Sequence, residues 1–302
     1  MATAYTHVDS NKWRTVAIIT GFVFFIVIIG YVFSRALDVA WLFPFAIIVA
    51  IIQSFSSYWW SDKIALAISG AKEVQKADAP ELYRLVENLA ITAGLPVPKV
   101  YIIEDAAPNA FATGRDPQHA ALAVTTGLLS KLDKSELEGV VAHEFSHIGN
   151  YDIRLSAVIV VLVGFVALIS DWFLRFNLFG GDDDNRDSGQ LGVVLAIVGI
   201  VLAILSPLIA SIIQLAISRK REFLADADGA LLTRNPNGLA SALEKISSDK
   251  VISKRANKAT AHLYIANPLK DENGRSKGLF SNLFNTHPDP AERIKRLREM
   301  AL

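Results

Sequence analysis

The chain has 302 residues, enough for one large domain or two ordinary ones, and its 30 basic and 30 acidic side chains give a formal net charge of zero. That balance argues against a nucleic-acid partner. With no cysteine, disulfides and thiolate metal sites are excluded, so any metal must be held by nitrogen and oxygen donors. The residues are 52% hydrophobic with a mean hydropathy of +0.34, above the usual range for a soluble domain, and the excess is concentrated in long runs.

The first two runs, residues 15–33 and 39–60, carry no charge and are rich in Ile, Val and Phe. A bilayer core needs about 20 apolar residues in a helix, so residues 1–60 read as a transmembrane hairpin. Lys12 and Arg14 precede the first run as they would in a signal peptide. Its length and its lack of a small-residue exit site make it a retained anchor instead.

Residues 61–154 then read as the first part of a water-exposed domain. Leu82, Leu85, Val86 and Leu89 recur at helical spacing within residues 79–93, and Gly94 ends that helix. Residues 99–103 form a short β-branched strand. Residues 109–113 and 120–125 flank the turn Gly114-Arg115-Asp116-Pro117, which predicts an antiparallel pair. Ser135 with Glu138 is the expected capping box of the next helix.

That helix carries Val141-Ala-His-Glu-Phe-Ser-His-Ile-Gly-Asn150. His143 and His147 are four residues apart, so both imidazoles project from one face. Two neutral imidazoles can hold Zn²⁺, and Glu144 beside the first can act as a base toward water, which is the known metalloprotease spacing. If the helix ran on unbent, His147 would lie about 12 Å from residue 155, where the third uncharged run begins. The metal is therefore expected within one or two turns of the bilayer surface.

The third run, residues 155–170, is extended to 174 beyond Asp171, and of the set it is the one that also reads as a buried core helix. A fourth run spans residues 191–218. Together they predict a second membrane hairpin, 155–218, inserted into a split domain whose second part is 219–302. Lys12, Arg14, Lys63, Arg219, Lys220 and Arg221 lie at the same ends of the spans, which places both termini and the histidine motif in the cytoplasm. The loop with Asp182, Asp183, Asp184 and Asp187 then faces outward as a solvated turn. Helices are expected over 221–232, 238–246 and 290–300.

A catalytic zinc has three protein ligands and an open fourth position. Glu222 is a candidate third ligand, with Asp226 on the same helical face able to receive the N–H of a ligand histidine. A solvated acidic pair beside compensating arginines is the alternative on spacing alone. Residues 109–113 alternate small and apolar side chains before Gly114, as in an edge strand that could pair with an extended substrate or in an ordinary structural strand. His7, His119 and His262 read as surface residues.

His143-Glu-Phe-Ser-His147 followed after two spans by Arg221-Glu-Phe-Leu-Ala-Asp226 resembles the HtpX family of integral-membrane zinc peptidases, which are related to the CAAX prenyl proteases. Pro108-Asn-Ala-Phe-Ala-Thr-Gly114 and Thr286-His287-Pro288 with Arg293 match it too, so the likeness covers nearly the whole chain. Asp228 and Gly229 depart from the bulkier stretch common there. The resemblance implies an α-helical protein with four transmembrane helices and a split, mainly α, zincin-type cytoplasmic domain bearing a small antiparallel sheet. It implies one Zn²⁺ on His143, His147 and Glu222, with Glu144 as base and Asp226 behind a ligand. It favours Asn109, Ala110, Phe111, Ala112 and Thr113 as a substrate-binding strand.

His287 or Arg293 could donate to the oxyanion, or either could simply hold the last helix against the core. The implied activity is endoproteolysis of misfolded or damaged membrane proteins in the inner (plasma) membrane of a bacterium or archaeon. Processing of one defined substrate, and a scaffold with a structural metal, are the competing readings. Four spans argue against the former, and the missing fourth protein ligand argues against the latter.

Overall fold

The structure is a computed structural model that describes residues 4–36, 38–179, 219–249, 251–253, 256, 260, 263–265 and 288–300. Helices α1 (Ala4–Ala36) and α2 (Leu42–Trp59) pack side by side as a hairpin. A Cβ on Gly30 would fall 2.1 Å from the Cβ of Ala46, so the absence of a side chain there lets the two backbones close. The apolar stretches Val8–Arg35 and Leu42–Trp59, with mean hydropathies of 2.8 and 1.6, are long enough to cross a bilayer. Phe24, Ile28, Ile48, Ile51 and Ile52 point away from the protein, which suits lipid and not water. Helix α1 starts well before the uncharged run, with Lys12 and Arg14 inside it.

Helix α3 (Ser61–Ser69) leads from the hairpin to a sheet of strands β1 (Ala71–Glu73), β2 (Lys99–Ile103), β3 (Ala110–Thr113) and β4 (Ala121–Thr125), ordered β1-β2-β4-β3. The expected antiparallel pair is β3–β4, in register Ala110↔Val124 and Ala112↔Leu122. The expected all-antiparallel sheet is corrected, because β2 pairs with β4 in parallel while β1 joins β2 antiparallel. The physical reason is topological. The chain leaves β2, lays down β3 at the outer edge, and turns back so that β4 fills the gap in the direction of β2. The 3₁₀ turn Pro117–His119 makes that reversal, and Gly114 enters it at φ 149°.

Helix α4 (Pro80–Ala93) buries Leu82, Leu85, Val86 and Leu89 and ends at Gly94 in the left-handed conformation, φ 65°. After the short α5 (Thr126–Lys131), helix α6 (Lys134–Gly149) carries the histidine motif. Its capping box is Asp133 with Glu136, each side chain accepting from the other's backbone N–H, and not Ser135 with Glu138. Asp133 has the extended backbone that a cap needs, whereas the Ser135 hydroxyl accepts from Asn235 Nδ2.

Helix α7 (Asp152–Phe179) leaves α6 at a bend of 86°. Its first half is buried, with Leu155, Val158, Ile159, Leu162 and Val166 packed on Ile18 and Phe22 of α1, Leu66 of α3 and Phe111 of β3. Counting α6 and α7 as one broken span, the described residues hold two or three candidate membrane helices. The fourth uncharged run, 191–218, and the acidic loop lie outside them. Helices α8 (Arg219–Thr233), α9 (Pro236–Ser248) and α10 (Pro290–Arg298) complete the second core with α4, α6 and the sheet, around Val140, Val141, Phe145, Leu239, Leu243 and Leu297.

Candidate metal centre

Helical periodicity stacks His143 and His147 on the inner face of α6, with ring centroids 4.8 Å apart. Their Nε2 atoms converge to 3.2 Å. From α8, Glu222 brings Oε2 to 3.7 Å from His143 Nε2 and Oε1 to 3.6 Å from His147 Nε2. Donor atoms bound tetrahedrally to zinc at 2.0–2.1 Å are about 3.4 Å from one another, so the three side chains have the spacing of ligands. They form the group of His, Asp and Glu residues able to hold a metal among those described.

The outer nitrogens explain why a cation fits. His147 Nδ1 is 2.9 Å from Asp152 Oδ2, and His143 Nδ1 is 3.0 Å from Asp226 Oδ1. The Asp152 hydrogen bond keeps a proton on His147 Nδ1, and the Asp226 carboxylate beside His143 Nδ1 favours the same tautomer, so with a metal bound each Nε2 would turn its lone pair inward. The two Nε2 atoms and the Glu222 carboxylate then face one another, with His143 and Glu222 buried and His147 partly buried. Only a positive charge relieves that arrangement. Burial opposes charge on His147, but the Asp152 hydrogen bond and the Glu222, Asp152 and Glu144 charges outweigh it and push its pKa up to about 9.

Glu144 follows His143 on α6, and its Oε2 accepts the backbone N–H of Ala112 at 2.8 Å. The ladder explains how Ala112 has an N–H to give. Thr125 N–H donates to Asn109 O, so the hydrogen-bonded pairs are 109, 111 and 113, and the polar backbone groups of Ala110 and Ala112 point away from β4. Strand β3 is thus an edge strand laid beside α6, with Phe111 and Ala112 lining the same pocket as the ligand set. Asn109 is otherwise engaged. Its side chain accepts from Ile265 N–H at 3.0 Å and reaches Leu263 O at 3.4 Å, which clamps the segment 263–265 at the pocket wall. Thr113 is fully buried at the far end of the strand.

Arg293 enters from α10 and is 1% exposed. Its Nε and Nη2 grip both oxygens of Asp226 at 2.8 and 2.6 Å, and Nη1 lies 3.9 Å from Glu222. Burial alone would raise the Asp226 pKa, but the hydrogen bond and charge of Arg293, with a smaller contribution from His143, hold it down at about 2. Arg293 therefore anchors the carboxylate behind His143. His287, the other oxyanion candidate, lies outside the described residues. His119 is half exposed and paired with Asp116.

Three participants escaped the sequence reading. Asp152 is five positions after His147, which on a continued helix puts it about 140° round the axis. The bend at residues 150–151 swings it back under the imidazole. Arg221 and Asn11 both bind Asp152 Oδ1 at 2.7 Å, and nothing in their sequence neighbourhoods announces it. Asp228 accepts from Ser146 at 2.8 Å, and Gly229 lets α8 touch α6, since a Cβ there would sit 3.0 Å from His143 N. Asp228 and Gly229 thus both lie where the two ligand-bearing helices touch.

The profile of Peptidase family M48 matches residues 76–301. A protease HtpX homolog of Tropheryma whipplei (strain TW08/27) is 46% identical over 296 residues, 98% of each chain. Another from Dictyoglomus thermophilum is 44% identical over 302 residues, covering 99% of this chain and 95% of the relative. The crystal structure of S. mikatae Ste24p overlays with a TM-score of 0.48 at 17% identity, covering 97% of this chain and 67% of that one. With a metal-binding geometry in the histidine motif, a family profile over most of its length and full-length relatives of one kind, this chain belongs to Peptidase family M48, among the HtpX proteases, and is a membrane metalloprotease.

Proposed function

We propose that the protein is a zinc endopeptidase of the bacterial or archaeal plasma membrane that cleaves misfolded or damaged membrane proteins, with Glu144 as general base. The observation that carries this reading is the convergence of His143, His147 and Glu222 on one point while Glu144 is held between that point and the edge strand. A zinc ion bound there would supply a Lewis acid that acidifies water and polarises a carbonyl. One oxygen of Glu144 is tied to Ala112 N–H, which leaves the other to take the proton from the attacking water and hand it to the leaving amine. Arg293, through Asp226, and Arg221, through Asp152, keep both imidazoles in the tautomer that binds metal.

The outward backbone groups of Ala110 and the carbonyl of Ala112 suit an extended peptide added to β3. Backbone pairing does not ask for particular side chains, and this favours unfolded or damaged substrates. Residues 61–154 and 219–302 would form the cytoplasmic catalytic domain, with the runs 155–174 and 191–218 as the third and fourth spans of one chain, in keeping with the lysine and arginine positions. The test is detergent-purified protein against unfolded casein, wild type beside Glu144→Gln, with metal content measured in both. Cleavage by the wild type alone, with about one zinc in each, is expected. Equal cleavage by the variant, or no zinc in the wild type, would overturn the reading.

A further inference from the structure

Asn11 lies near the start of the first membrane helix and is 2% exposed. Its Nδ2 donates to Asn150 O at 2.9 Å and to Asp152 Oδ1 at 2.7 Å, and its Oδ1 accepts from Arg221 Nη1 at 3.0 Å. Arg221 Nη1 donates to the same Asp152 Oδ1 at 2.7 Å. The other oxygen, Asp152 Oδ2, receives Nδ1 of His147. A continuous set of hydrogen bonds therefore runs from the membrane anchor to a metal-binding imidazole.

The same contact reaches the bend between α6 and α7, since Asn11 binds Asn150 O. Tyr151, at φ 60°, holds the left-handed conformation that a bulky side chain adopts only under constraint. Its ring has Lys12 of α1 at 5.2 Å and Arg154 at 5.2 Å. Asn11 and Lys12 thus grip both sides of the turn that delivers Asp152 to His147. Both ends of the Asn11 amide are used, and each reaches either Asp152 or the arginine bound to it.

We infer that helix α1 is a working part of the metal centre: Asn11 positions Asp152, and through it His147, so metal affinity depends on the N-terminal membrane helix being docked. This rests on the zinc reading above. Groups that orient a ligand histidine typically alter metal affinity by about 10–100-fold, and one bond further out the lower end of that range applies.

The test measures zinc affinity of the full-length protein in detergent by competition with a chromophoric chelator. Wild type, Asn11→Ala, Asp152→Asn and the double variant are compared. Asn11→Ala should bind zinc about 10-fold more weakly, and its Co²⁺ derivative should show shifted visible absorption bands. In the Asp152→Asn background the Asn11 change should cost nothing further, because its route to His147 is already cut. Unchanged affinity in Asn11→Ala, or an equal loss in both backgrounds, would overturn the inference. A role in packing alone would lower the thermal stability of the metal-free protein without moving the affinity. Should Asn11→Ala not yield folded protein, Asn11→Leu, which keeps the volume but removes the amide, goes through the same cycle with the same expected outcome. Wild type without zinc overturns the zinc reading and this inference together, whereas zinc-binding wild type with an indifferent Asn11 overturns this inference alone.

Discussion

The backbone N–H of Ala112 and the carboxylate of Glu144 meet at 2.8 Å, joining the edge strand to the histidine-bearing helix. One hydrogen bond thereby sets the distance between the proposed base and the strand on which substrate would lie. It draws on an N–H of β3 that the ladder with β4 leaves free.

Replacing Glu144 by Gln keeps the shape and the acceptor for Ala112 but removes the base. Turnover should fall by about 10²–10⁴-fold, the usual worth of a general base, with zinc content unchanged. Casein hydrolysis alongside metal analysis measures both.

Ala112→Pro deletes the N–H without breaking the ladder, because that N–H points away from β4. A hydrogen bond to a charged group is worth about 1.5–3 kcal/mol, so kcat/KM should drop by about 10–100-fold while zinc binding persists. Loss of zinc in this variant would show that β3 supports the ligands and not the base.

Arg293→Ala takes from the buried Asp226 carboxylate its charged partner and leaves it only His143 Nδ1. Breaking such a pair costs about 3–5 kcal/mol. Thermal unfolding of the chelator-treated protein should show that loss, and it should be seen without substrate. A variant as stable as wild type but inactive would instead return Arg293 to a direct role at the oxyanion.

Gly229→Val pushes a branched side chain against the backbone of His143, where even a Cβ has only 3.0 Å. Overpacking at this level costs about 1–3 kcal/mol, and the helices carrying the ligands must separate. Both unfolding temperature and zinc affinity should fall, whereas Gly149→Ala, with its nearest neighbour at 3.5 Å, should change neither appreciably.

Removing the metal should leave two imidazoles and a carboxylate crowded together without the cation that joins them, and lower the unfolding temperature. Adding zinc back should restore it in a concentration-dependent way, as binding to the folded state alone requires. Differential scanning fluorimetry with and without chelator is sufficient. Identical unfolding curves would mean that the site holds no metal.

Much of this was legible in the linear chain because it depends on short-range periodicity. His143 and His147 share a face on any helix, Leu82 to Leu89 mark the buried side of α4, and the uncharged runs declare α1 and α2 as membrane helices. The absence of cysteine alone decided the kind of metal donor. Tertiary structure decided what lies beyond one or two turns. Asp152 reaches His147 only because the chain bends by 86° at Tyr151, and Asn11 reaches Asp152 across 141 positions of sequence. The parallel pairing of β2 with β4 likewise follows from the position of β3 at the sheet edge, which alternation cannot reveal. Arg293 carried a charge that the sequence left free to act anywhere, and it was the packing of α10 onto α8 that assigned it to Asp226. A side chain's own period tells which way it points from its helix, but its partner is fixed only when separate elements close on one another and buried charge must find its counterpart.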